Sequence, residues 1–78
     1  MKASLSGGRQ VAAILVKEFD FEQVRQKGSH VVLRKFVGGQ KIVTVVPDHK
    51  EVRRGTLKSL LRLAKVPVEE FSVKASKG

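Results

Sequence analysis

Residues 30–47 read His30-Val31-Val32-Leu33-Arg34-Lys35-Phe36-Val37-Gly38-Gly39-Gln40-Lys41-Ile42-Val43-Thr44-Val45-Val46-Pro47. Two β-branched runs flank a Gly-Gly pair, and glycine supplies the positive φ that short hairpin loops require. The stretch therefore reads as two antiparallel strands, over 30–36 and 41–46, joined by a turn at 37–40. Pro47 closes the second strand because it cannot donate to a ladder.

Upstream, Lys27-Gly28 reads as another tight turn and 21–26 as a first strand. Phe21 and Val24 fall on opposite sides of a strict two-residue repeat, so that strand needs a bulge or a late start. Sequential strands with short turns form an antiparallel meander. Over 8–18 the residues Val11, Ile14 and Leu15, with Phe19 just beyond, recur at helical spacing; Ala12, Ala13 and Val16 widen the stripe and predict a well-buried helix. Ser4 and Ser6 are candidate N-caps for it.

Downstream, 47–54 is a polar loop carrying His49. Thr56 is the predicted N-cap of a second helix, whose Leu57, Leu60, Leu61 and Ala64 form a core stripe and whose stop is Val66-Pro67. Residues 67–71 allow one further turn, with Phe71 docked inward. The order is α-β-β-β-α: an α+β two-layer sandwich, with a three-stranded antiparallel sheet and two helices on one face. One domain spans 1–78, with a loose lead-in at 1–6 and a frayed basic tail at 72–78.

Sixteen Lys and Arg against seven Asp and Glu leave a net charge of +9 on 78 residues, a field that favours polyanions. The bland alternative is a set of solvated lysines kept for solubility. There is no cysteine, which excludes a disulfide framework and thiolate metal sites and points to the cytoplasm. No apolar run approaches the length of a membrane span, and no signal-peptide core is seen, so no membrane partner is expected.

The chemistry narrows to His30. Along its strand His30, Val32 and Arg34 share one side, and Val31, Leu33 and Lys35 the other. Both sides hold apolar residues, so alternation alone leaves the facing of His30 open. If Val31 and Leu33 point inward, His30 lies on the open face, where an imidazole can move protons at physiological pH. Lys27 and Arg34 would then stabilise charge developing on a phosphorane. Those parts suffice for transfer of a phosphodiester to its own 2′-hydroxyl, which needs no metal and no small-molecule cofactor. The alternative is an exposed histidine that only makes hydrogen bonds.

Other chemistries find less support. The two histidines show no metal-binding spacing with each other or with the acids. Ser29 and His30, adjacent in a strand, point apart, and no nucleophile elbow is present. Arg54, Lys58, Arg62 and Lys65 line the polar side of the second helix, where like charges at i, i+4 repel and an anionic partner would relieve the cost. A solvated face is the competing explanation. With no Trp or Tyr and four Phe, contact with a nucleic-acid backbone is better supplied than base stacking.

Three blocks carry a family resemblance. They are Phe21-Glu22-Gln23-Val24-Arg25-Gln26-Lys27-Gly28-Ser29-His30, then Val43-Thr44-Val45-Val46-Pro47-Asp48-His49, then Arg54-Gly55-Thr56-Leu57-Lys58-Ser59-Leu60-Leu61. In this order and spacing the chain, from its first helix through Phe71, resembles the HicA (YcfA-like) mRNA interferase toxins. The resemblance implies a double-stranded-RNA-binding-like fold, ribonuclease activity on mRNA, and neutralisation by a HicB-type antitoxin protein encoded beside it. It puts His30 on the family's catalytic histidine and Gly28-Ser29 on its flanking motif.

With the basic residues, the expected RNA-binding set is Lys27, Gly28, Ser29, Arg34, Arg54, Lys58 and Arg62. His49 falls in a Pro-x-His stretch to which no catalytic role is assigned. Two departures stand out: Asp20 occupies a position where the family usually has glycine, and the Ser-Gly-Gly start is less typical. Two rivals remain: a non-catalytic RNA- or protein-binding module on the same fold, and a basic face that serves an acidic antitoxin rather than RNA.

Overall fold

The computed structural model describes residues 7–77. Its elements are α1 (Gly8–Glu18), β1 (Glu22–Lys27), β2 (His30–Val37), β3 (Gln40–Pro47), α2 (Arg54–Ala64) and α3 (Val68–Lys77). The three strands form one antiparallel sheet in the order β1-β2-β3. The expected α+β architecture is the one observed, with a third helix added.

The β2–β3 ladder is unbroken from Val37↔Gln40 to His30↔Pro47. Gly38 and Gly39 both hold positive φ, 58° and 82°, as the two-residue loop demands. In β1 both remedies for the imperfect alternation occur. The strand starts late, at Glu22, and the register shifts between Gln23 and Arg25, so Val24 is the extra residue.

The inner face of the sheet presents Val31, Leu33, Ile42, Thr44 and Val46, all buried. Against them pack Val11 and Leu15 of α1 and Leu60, Leu61 and Ala64 of α2, giving one core. Thr44 is the polar member of that layer, and its Oγ1 donates to the Leu60 carbonyl at 2.8 Å. A buried hydroxyl must be paired; this pairing also fastens β3 to α2.

Several expectations need correction. The first helix is one-sided rather than buried all round: Gly8, Val11, Ala12 and Leu15 face the core, while Ala13 and Val16 are exposed, because no element covers that flank. Its N-cap position is Gly7, without a side-chain bond; Ser4 and Ser6 lie outside the described residues. Thr56 is not an N-cap. The buried Val52 brings the chain to the helix start earlier, so α2 opens at Arg54 after an extended Arg53 that makes no side-chain cap.

At its far end α2 stops at Ala64, with Lys65 left-handed at φ 60°. The Val66 N–H bonds the Leu61 carbonyl at 3.0 Å and the Lys65 N–H bonds the Arg62 carbonyl at 3.1 Å, the pattern of a Schellman cap. Finally, 68–77 is helical where a single turn and a frayed tail were expected. Phe71 is buried and stacks on Phe19 with centroids 6.5 Å apart, and Lys74 Nζ lies 3.7 Å from a Glu18 carboxylate oxygen. These contacts hold α3 against α1.

Candidate active site

Inner-face burial of Val31 and Leu33 settles the facing of His30, which is exposed on the open face. It is the first residue of β2, placed between two partners: Lys27 across β1 and Pro47 across β3. Directly opposed residues in an antiparallel pair have Cβ atoms about 5 Å apart. The Lys27 ammonium therefore shares the face and neighbourhood of His30. Gly28 and Ser29 form the loop between them; only Gly28 has positive φ, at 60°, the pattern of a II′ turn.

That turn is tied down. The Gln26 side-chain amide donates to the Gly28 carbonyl at 3.3 Å and to an Asp48 carboxylate oxygen at 3.1 Å. The Asp48 N–H donates to the Ser29 carbonyl at 2.6 Å, and Arg9 of α1 reaches Asp48 at 3.4 Å. Gly8 brings α1 within van der Waals reach of the same place: a Cβ there would lie 1.9 Å from the Pro47 carbonyl oxygen. Its N–H donates to the His49 carbonyl at 2.8 Å. The start of α1, the Gly28–Ser29 turn and the segment after β3 are one hydrogen-bonded knot.

An open cleft of about 410 Å³ lies beside it, lined among others by His30, His49, Glu51, Arg53 and Thr56. Of the expected RNA-binding residues, Lys27, Gly28 and Ser29 adjoin His30. Arg54, Lys58 and Arg62 are exposed and run along α2 away from the cleft. Arg34 is not brought to the same point. Four residues along a strand separate it from His30 by about 13 Å, and its guanidinium is engaged by the Glu22 carboxylate and lies 5.4 Å from the Phe36 ring centroid. In this structure it is turned to Glu22 and Phe36 rather than toward His30.

Two cleft residues, Glu51 and Arg53, were not singled out from sequence, and Thr56 was read only as a helix cap; Arg25, which pairs with Val32 and shares the open face with Lys27, was given no role either. A signal for the cleft existed. A two-residue Gly-Gly loop sets residue 47 opposite residue 30, which places His49 just past the strand end beside His30. Among the described residues, no three His, Cys, Asp or Glu side chains come together.

The site is thus a sheet with one open face, a histidine at a strand start and a cationic border. The family model for the HicA toxin of bacterial toxin–antitoxin systems matches residues 8–66. The chain belongs to the HicA toxin family. It is thus the toxin member of a toxin–antitoxin pair, and α3 lies beyond the matched region. Comparison with curated proteins and with solved structures gave no match.

Proposed function

We propose that this toxin is an endoribonuclease that cleaves mRNA in the cytoplasm without a metal ion, with His30 as general acid or base. The observation that carries the reading is the placement of His30: exposed, at the end of a rigid hairpin, with Lys27 directly opposite. An imidazole so placed can reach a substrate proton, and the adjacent ammonium favours the charge that builds on phosphorus. Arg54, Lys58 and Arg62 of α2 hold the RNA backbone, a contact between cations and phosphates that needs no particular base sequence. At Gly28 the turn offers an approaching RNA strand backbone with no side chain.

The partner is a HicB-type antitoxin. Val43, Val45 and Phe36 are exposed on the open face that holds His30, and a protein partner covering them would also cover the histidine. Expression of the chain alone should arrest bacterial growth, and His30→Ala should relieve the arrest at equal protein level. Arrest that persists with His30→Ala would favour the non-catalytic binding module instead.

A further inference from the structure

Transfer of a phosphodiester to a neighbouring 2′-hydroxyl moves two protons. The attacking oxygen loses one and the departing 5′-oxygen gains one. His30 accounts for a single transfer. The sequence contains one other histidine, and the structure sets it on the same cleft: His30 arrives from β2, His49 from the segment after β3.

Their relative position is held by backbone. The residue before His49 donates its N–H to the residue before His30, Asp48 to Ser29, at 2.6 Å. The His49 carbonyl is itself held by the Gly8 N–H at 2.8 Å. Both side chains are exposed. The charged groups around the pair are Lys27 from β1, Arg9 from α1, and Asp48, Lys50, Glu51 and Arg53 from the intervening loop. Asp48 is occupied by Arg9 and Gln26.

We infer that His49 is the second proton carrier, complementary to His30, and that the cleft between them receives the scissile phosphodiester of single-stranded RNA. This rests on the ribonuclease reading above. One imidazole, neutral, takes the 2′-hydroxyl proton as that oxygen bonds to phosphorus. The other, protonated, gives its proton to the 5′-oxygen as the P–O5′ bond breaks. The products are a 2′,3′-cyclic phosphate and a 5′-hydroxyl, and no water is consumed. The imidazoles end with exchanged protonation states and reset through solvent.

The test uses the purified full chain on a short RNA and on the same RNA with sulfur bridging the scissile 5′ position. A thiolate leaves without an acid, so the variant lacking the acid regains rate on the sulfur substrate while the variant lacking the base does not. His49→Ala and His49→Gln should each slow cleavage of ordinary RNA by about 10²–10⁴-fold with unchanged thermal melts. One of His30→Ala and His49→Ala, and not the other, should return to within about tenfold of wild type on the sulfur substrate. The wild-type pH–rate profile should be two-limbed, each alanine variant losing one limb.

If both His49 variants cleave ordinary RNA within about threefold of wild type, His49 is no proton carrier and the proposal falls. It falls equally if the sulfur substrate rescues both alanine variants or neither. Each of these outcomes leaves a working ribonuclease and His30 untouched. A wild-type chain that cleaves neither RNA removes the ribonuclease reading and this proposal with it.

Discussion

At Gly8 the fold leaves no room for a side chain. The atoms nearest a built Cβ all belong to backbone, the carbonyl of Pro47 and the Cα of Asp48, at 1.9–2.9 Å, so no rotamer change relieves the clash. The Gly8→Ala protein should lose about 1–3 kcal/mol, the usual cost of forcing atoms into a filled site. In a domain of this size that lowers the melting temperature by roughly 5–20 °C. A calorimetric melt unchanged from wild type would mean that α1 does not press on the Pro47–Asp48 backbone.

The same scale explains Asp20. It sits at φ 65°, in the left-handed region, at the position where the family resemblance leads one to expect glycine. Aspartate tolerates that conformation better than most residues, so the departure is absorbed locally and the site is untouched.

Elements differ in how far they could be read in advance. The β2–β3 hairpin was legible because its turn chemistry and its propensity agree, and β1 because its broken alternation announced the bulge. What could not be read was the inward face of β3. Its polar Thr44 points into the core while Val43 and Val45 point out, an arrangement stable only because the Leu60 carbonyl accepts the hydroxyl.

Of helix α3 only the first turn and the inward docking of Phe71 were legible, for a similar reason. Among the described side chains over 68–76 only Phe71 is buried, and the segment is held by Glu18 of α1 and by Phe19 just beyond it, fifty or more residues earlier. Short helices owe their stability to such packing rather than to propensity. Phe71→Ala should therefore cost about 3–5 kcal/mol in urea unfolding. A loss under about 1 kcal/mol would show that α3 does not depend on that docking.

For the whole molecule, charge favours one class of partner and topology shapes the surface offered to it. The +9 charge raises the local concentration of any polyanion and makes its capture salt-sensitive. It does not single out a site. The candidate site comes from the meander, which brings the two hairpin ends, and with them His30 and His49, to one end of the sheet.

His30 was legible as a candidate, but its facing was not, since both sides of β2 carry apolar residues. The cleft was legible only through the pairing of residues 30 and 47. The central claim is that His30 cleaves RNA without metal. It is tested most directly by incubating purified wild-type and His30→Ala chains with end-labelled mRNA in excess EDTA. Wild type should give discrete fragments with cyclic-phosphate ends, and His30→Ala none, although both bind the RNA and melt alike. Cleavage by His30→Ala at the wild-type rate, or loss of wild-type cleavage in EDTA, would contradict the account.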